Sequence, residues 1–376
     1  MNDPEAGSAP GLYVHVPFCV SKCRYCDFFS VTDRARVRDW LTAINQEARL
    51  YGDNFGTFDT LYIGGGTPSC LSDPELAVLL DVLRRHCSLA PQTEVTLEAN
   101  PDDLSPARLE HFISLGINRL SLGIQSFNDR ELQFLGRRNS ARQNHQALRW
   151  VRSRDGLQLA VDLIYGVPGQ TLAGWLDALR QVLTYRPEHL SCYQLTVEAG
   201  TPLAAMQQQG LIEPLAEEAG AEFFLQTSDY LAGNGYEHYE ISNFAINRRQ
   251  RSRHNCKYWS HAPYLGLGPA AHSFQNGVRW WNVPSLEQYC QALLSGRTPT
   301  QDREVLTAEQ IRLEALFLGL RTTDGIPLQL LGESSQARTA LSTLQASGLV
   351  RLDRTRIVPT QKGFAVADSL PLLLFE

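Results

Sequence analysis

The chain alternates between two hydrophobic periods. Short apolar, β-branched runs recur at residues 12–16, 60–63, 94–98, 119–124, 159–164 and 190–195. Between and after them, apolar positions repeat at three- and four-residue spacing over 34–50, 73–86, 105–115, 141–151, 171–184 and 217–231. The first pattern suits buried strands and the second amphipathic helices. Two helical starts carry capping chemistry, Ser72-Asp73-Pro74-Glu75 and Leu104-Ser105-Pro106, with proline where the first turn needs no N–H. Six βα units in succession predict a parallel sheet, because each helix must return the chain across it.

A partial barrel and an open doubly wound sheet both satisfy that pattern. The chemically active residues favour the barrel, because they fall at or just beyond many strand ends rather than at one switch point. Cysteines follow the first strand and Gly64-Gly65-Gly66-Thr67 the second; Glu98 and Gln125 end the third and fourth, and Asp162 lies in the fifth. The prediction is therefore an α/β fold with a partial (β/α)6 barrel over residues 11–240. From about residue 306 the pattern changes to helices over 306–320 and 335–347, then a hairpin of 349–352 with 356–358. That predicts a small winged-helix-like domain over 305–376. Residues 241–304 are expected to link the two, and residues 1–10 to form a disordered tail.

Composition narrows the function classes. Lys and Arg number 34 against 40 Asp and Glu, a net charge of −6, which excludes a general nucleic-acid binder. Arg351, Arg354, Arg356 and Lys362 on the hairpin are expected to be a solvated face. No run reaches the roughly 20 apolar residues that span a bilayer. Residues 1–7 have neither the basic nor the apolar region of a signal peptide, so a cytoplasmic location is expected. In that reducing compartment the eight cysteines are expected as thiols. Cys70, Cys87, Cys192, Cys256 and Cys290 are scattered and suit small buried hydrophobes.

Cys19, Cys23 and Cys26 are different: they form C-x3-C-x2-C within eight residues. Structural zinc wants four ligands, usually as two close pairs, and no fourth is evident. Thiolates also hold iron–sulfur clusters, and three thiolates on four irons leave one iron open for another ligand.

With Tyr25 before the third cysteine, this motif resembles the radical S-adenosylmethionine (SAM) superfamily. The resemblance implies a [4Fe–4S] cluster on Cys19, Cys23 and Cys26, with SAM chelating the open iron. Gly64-Gly65-Gly66-Thr67-Pro68 resembles the family's glycine motif, where absence of Cβ lets backbone approach the cofactor. By the same resemblance Tyr13, Tyr25, Gly65, Gly66, Thr67, Glu98, Gln125, Arg137 and Asp162 would contact SAM. Residues 119–127, 162–170 and His254-Asn255-Cys256-Lys257-Tyr258-Trp259 further resemble the coproporphyrinogen-oxidase-like branch. Within it, Phe28 stands where the oxidase pattern has another cysteine, and H-N-x-x-Y-W is characteristic of the haem-chaperone members. The branch thus implies haem as a ligand, an electron donor for the cluster, and haem-accepting respiratory proteins reached by transient membrane association. It equally holds a rival class, a radical enzyme that decarboxylates a porphyrinogen. His254 is the candidate haem ligand, with Cys256, His261 and His272 as alternatives. Arg248, Arg249, Arg251 and Arg253, with no acid among them, are candidates for the haem propionates or an acidic recipient.

Overall fold

The computed structural model describes residues 9–332 and 334–374; most of the tail expected over residues 1–10 lies outside the described residues. Six parallel strands lie side by side in chain order: β1 (Gly11–Val16), β2 (Thr57–Gly65), β3 (Ser88–Ala99), β4 (Arg119–Gln125), β5 (Gln158–Tyr165) and β6 (His189–Gln194). Helices Val37–Tyr51, Asp73–His86, Pro106–Ser114, Ala141–Arg152 and Leu172–Leu183 connect them, and Glu217–Gly233 follows β6. Ser72 forms a capping box with Glu75, and the Ser105 hydroxyl accepts from Arg108 N, so both proposed helix starts are capped as their residues suggest. β7 (Glu237–Glu240) and β8 (Asn243–Ala245) finish one edge, β8 running antiparallel to β6. The sheet does not close on itself, which makes the barrel a partial one.

Residues 241–304 do more than link. β9 (Tyr264–Leu267) pairs in parallel with the free edge of β1, and β10 (His272–Gln275), β11 (Val278–Asn282) and β12 (Thr300–Val305) extend that edge antiparallel. The result is a sheet of twelve strands among the described residues. The hydrophobic pattern hid these strands because they are short and mixed, as in Val278-Arg279-Trp280-Trp281. Helices Asp129–Leu135, Pro202–Gln208 and Arg253–Trp259 were hidden for a related reason: seven residues hold only two turns of the helical period.

Along the six parallel strands the two faces differ. On β4, Leu120, Leu122 and Ile124 are fully buried in the core beneath the helices. Arg119, Ser121, Gly123 and Gln125 alternate with them and line the interior. The C-terminal residues build their own core, with Leu316, Leu341 and Ile357 packed between helices Ala308–Gly319 and Ser335–Ala346 and a three-stranded sheet. That sheet comprises β13 (Ile326–Pro327), β14 (Val350–Asp353) and β15 (Arg356–Pro359), with Arg354 left-handed (φ 56°) in the hairpin turn. An Arg321–Glu240 ion pair at 3.0 Å ties this part to β7. No helix among the described residues is long and apolar enough to cross a membrane.

One buried carboxyl joins the added strands to the barrel. Glu47, on helix Val37–Tyr51 and 1% exposed, accepts hydrogen bonds from Tyr289 Oη (2.5 Å), Asn282 Nδ2 (2.6 Å) and Gly268 N (2.8 Å). Burial pushes its pKa from 4.5 up to about 7, outweighing the three hydrogen bonds that pull it down. Because the folded pKa is the higher one, the folded state binds this proton more tightly. The associated stability is therefore fully present below the unfolded pKa and lost as pH rises through about 7. Thermal unfolding of the native chain and Glu47→Gln between about pH 5 and 8 should show the native chain losing up to about 3 kcal/mol relative to the variant. Parallel pH profiles would count against this assignment.

Candidate cofactor site

Beyond β1 the chain enters a loop closed by a bridge between Phe18 and Val31. Cys19 N donates to Val31 O (2.9 Å), and Val31 N to Pro17 O (2.7 Å). Cys19 is buried, while Cys23 and Cys26 are half-buried further along the loop. The end of β2 grips the same segment: Gly66 N donates to Val16 O and Thr67 N to Phe18 O, both at 2.8 Å. The Thr67 hydroxyl donates to Cys19 Sγ at 3.4 Å.

The glycines are demanded by these contacts. A Cβ on Gly66 would lie 2.7 Å from Phe18 O and 3.1 Å from Cys19 Sγ. Gly65 sits at φ +107°, and a Cβ there would lie 2.6 Å from the His15 ring. Of the scattered cysteines, Cys70, Cys87, Cys192 and Cys290 are buried and Cys256 is half-buried.

All three loop thiols line a cavity of about 590 Å³ that extends from the loop down the inner face of the sheet. They share it without closing on one point: no three His, Cys, Asp or Glu side chains among the described residues gather tightly enough for a single metal ion. Tyr25, Gly65, Gly66 and Thr67 line the cavity beside the thiols. Glu98, Gln125, Arg137 and Asp162 line it as well. Glu98 accepts from Tyr62 Oη (2.8 Å) and Gly65 N (3.1 Å), and burial pushes its carboxyl up to about 7. Asp162 accepts from Ser121 Oγ (3.1 Å), and burial raises its pKa too. Arg137 Nη2 donates to Asn100 Oδ1 and Gly123 O, both at 2.7 Å, which points Nη1 at Cys23 Sγ, 3.6 Å away. Gln125 ends β4 at φ +64°, and its buried Oε1 has no hydrogen-bond partner among the described residues.

Tyr13 stands apart from this set and does not line the cavity. Its hydroxyl bonds His15 Nδ1 (3.0 Å), and its ring lies 6.3 Å from those of Tyr62 and His254. Tyr62 takes the lining position instead, with Arg119, Ser121, His189, Ser191 and Asn255, none of which the sequence singled out as site residues. The available signal was alternation: Arg119 and Ser121 share a strand face with Gln125.

The H-N-x-x-Y-W segment is the helix Arg253–Trp259, packed against the N-terminal ends of the strands. Glu94 of β3 accepts from Arg253 N (3.3 Å) and His254 N (3.1 Å). His254 is 1% exposed, and both ring nitrogens are engaged, Nδ1 with Thr60 Oγ1 and Nε2 with Tyr258 Oη, each at 2.9 Å. The ring stacks on Tyr62 at 5.2 Å, and burial lowers its pKa to about 3, so it is neutral. Asn255, not His254, lines the cavity. Elsewhere, His261 Nε2 bonds Glu314 (2.9 Å), and His272 stacks on Trp281 at 5.8 Å.

The arginines ahead of this helix find acids from distant segments. Arg251 meets Asp324 (3.3 Å) and Glu237 (3.5 Å), Arg253 meets Asp59 (3.0 Å), and Arg248 lies 3.6 Å from Asp324. The run without acids in sequence is therefore not a run without acids in space, and three of the four are engaged within the chain.

Gly66→Ala tests the grip of β2 on the cysteine loop. The added methyl must displace Phe18 or Cys19, so iron and sulfide retained after anaerobic reconstitution should fall several-fold. Unchanged iron content in a folded variant would show that the close approach is dispensable.

Comparison with known proteins places this geometry. Residues 13–182 match the Radical SAM superfamily and residues 306–366 the HemN C-terminal domain. Heme chaperone HemW of Mycobacterium tuberculosis is 33% identical over 373 residues, 98% of this chain and 95% of the relative. The Bacillus subtilis heme chaperone HemW is 34% identical over 93% of this chain and 95% of its own length. A bovine protein, the mitochondrial radical S-adenosyl methionine domain-containing protein 1, is 36% identical over 98% of this chain and 89% of its own. Among solved structures, Escherichia coli coproporphyrinogen III oxidase (HemN) shares the fold, with a TM-score of 0.84, 22% identity and coverage of 98% and 90% of the two chains. Full-length identity at this level, together with both domain matches, shows that the chain belongs to the HemW family of the radical SAM superfamily.

Proposed function

We propose that this chain is a haem chaperone that carries a SAM-chelated [4Fe–4S] cluster on Cys19, Cys23 and Cys26 and passes haem to respiratory haemoproteins. The observation that carries the cofactor reading is one shared cavity, holding three free thiols at one end and the unpartnered Gln125 Oε1 in its wall. An orphaned buried acceptor is costly, and a nucleoside amino or hydroxyl group would satisfy it. The donor set suits the rest of the cofactor. Gly65 and Gly66 admit close backbone approach, and Arg137 sets a positive charge beside Cys23 Sγ. Glu98 and Asp162 offer carboxyl oxygens for ribose or amino groups. When bound, the cluster and SAM supply one-electron chemistry, used here as a structural or switching element.

Two features support haem handling over porphyrinogen oxidation. Relatives that match nearly the whole chain are named heme chaperones. Phe28, where the oxidase pattern carries a further cysteine, is 60% exposed at the cavity. The engagement of both His254 nitrogens favours a structural role for that histidine, so another group would ligate the haem iron.

Two measurements test this. With the cluster reconstituted anaerobically, SAM, reductant and coproporphyrinogen III should yield neither protoporphyrinogen IX nor substrate-dependent 5′-deoxyadenosine, while haem binds and transfers. Substrate-dependent decarboxylation would overturn the chaperone reading. His254→Ala should destabilise the chain by about 2–4 kcal/mol yet leave the haem spectrum unchanged. Loss of the haem band from a folded variant would restore His254 as ligand.

A further inference from the structure

The inner end of the cavity carries donors that the described residues use only in part. Arg119 is the first residue of β4 and Gln125 the last, so about 20 Å of strand separates this floor from the cysteine end. Arg119 is 2% exposed and lines the cavity. Its hydrogen bonds are two long ones from Nη1, to Gln158 Oε1 and Gln250 O, both at 3.4 Å. It forms no ion pair with any carboxylate among the described residues. Asp162, further up the cavity, is already held by Ser121 and Ser191. Its charge does reach the Asp162 carboxyl, whose pKa it helps to lower, but without contact. A guanidinium buried without a carboxylate in contact is a costly arrangement that a bound anion would relieve.

His189, the first residue of β6, supplies the second observation. It is 2% exposed, lines the same cavity, and its buried Nδ1 has no hydrogen-bond partner among the described residues. The tautomer follows from its other nitrogen. Tyr239 Oη accepts from Ser252 N (3.2 Å), so its own proton is free for His189 Nε2, 2.7 Å away. Burial keeps the imidazole neutral, and the tautomer that gives the Tyr239 proton an acceptor carries its single ring proton on Nδ1. Guanidinium N–H groups and an imidazole N–H therefore line one recess, and among the described residues no carboxylate is in contact with either.

We propose that Arg119 and His189 form a carboxylate-binding floor, which holds the acidic end of a ligand whose other end extends toward the cysteines. A planar guanidinium donates two parallel hydrogen bonds to a carboxylate, and His189 Nδ1–H donates a third from the side. Nothing here depends on the cluster or SAM. If the haem-chaperone reading holds, a haem propionate is one source of the carboxylate; a free small carboxylic acid is the other.

The full-length chain tests both sources. In the first arm, acetate is titrated at constant ionic strength against chloride, and the thermal midpoint is followed for the native chain and Arg119→Met. In the second, haem and its dimethyl ester are titrated and followed by the Soret band. A rise in midpoint with acetate, absent from Arg119→Met, supports a free carboxylate. Haem binding at least about tenfold tighter than its ester, with the preference lost in Arg119→Met, supports a propionate. If haem does not bind at all, the chaperone reading fails while the acetate arm still decides the floor. Neither effect in the native chain overturns the proposal. So does Arg119→Met that is strongly destabilised yet keeps the acetate response, because the cation would then be structural. Should Arg119→Met not fold, Arg119→Lys retains the charge without the planar fork, and its carboxylate preference should fall several-fold; an undiminished preference would overturn the floor as drawn.

Discussion

The site depends on the pairing of β1 with β2 continuing past the end of both strands. The register sets Val16 opposite Gly65, and two further backbone hydrogen bonds then carry Gly66 against Val16 O and Thr67 against Phe18 O. Only a residue without a Cβ can follow that path, because the space belongs to Phe18 O and Cys19 Sγ. A local strand contact thereby fixes the first thiol, and the Phe18–Val31 bridge closes the loop that bears the other two. The spacing of three cysteines is thus meaningful only because a glycine forty residues later holds the loop against the sheet.

The second constraint is the polarity of the sheet's inner face. Fully buried polar groups must find partners or a ligand, and here most find partners: Ser121 serves Asp162, and Tyr62 and Gly65 serve Glu98. These pairings keep a row of carboxyls in place without apolar packing to fill the interior. Among the groups left without a partner in the described residues, Gln125 Oε1 and His189 Nδ1 belong to cavity-lining residues. A satisfied lattice with gaps at defined points is what a preorganised binding site requires.

Much of this was legible because it is local. Six βα units follow from hydrophobic period, and the cysteine loop, glycine turn and helix caps each occupy a few consecutive residues. What escaped reading is set by register between distant segments. Arg119 at the start of a strand looks like a surface cation until its pairing with Thr96 and Gln158 places it inside. Residues 264–305 lack a clean period because short strands carry few residues per face, so a sheet extension passed for a linker. The arginines at 248–253 looked unpaired for the same reason, since Asp59, Glu237 and Asp324 reach them only through the fold. Tyr13 and Tyr62 occupy matched positions on neighbouring strands and share a face, and sequence alone could not say which lines the cavity.

The H-N-x-x-Y-W segment acquires a physical meaning from that same geometry. Its helix lies across the N-terminal ends of β1, β2 and β3, with Lys257 Nζ donating to Ala9 O and paired with Asp59, both at 2.6 Å. His254 and Tyr258 stand one turn apart, so one imidazole joins Thr60 of the sheet to the helix's own tyrosine. The preceding residues continue the cover: Gln250 O meets Arg119, and Ser252 N meets the Tyr239 hydroxyl that orients His189. The segment therefore seals the inner end of the cavity and sets the proton on the floor imidazole. Covering that end keeps Arg119 and His189 away from bulk solvent, where the attraction of a cation for a carboxylate falls to a weak value. The motif thus meets the cavity from beneath, through Asn255 in its wall and through the cover that Gln250 and Ser252 continue over its inner end.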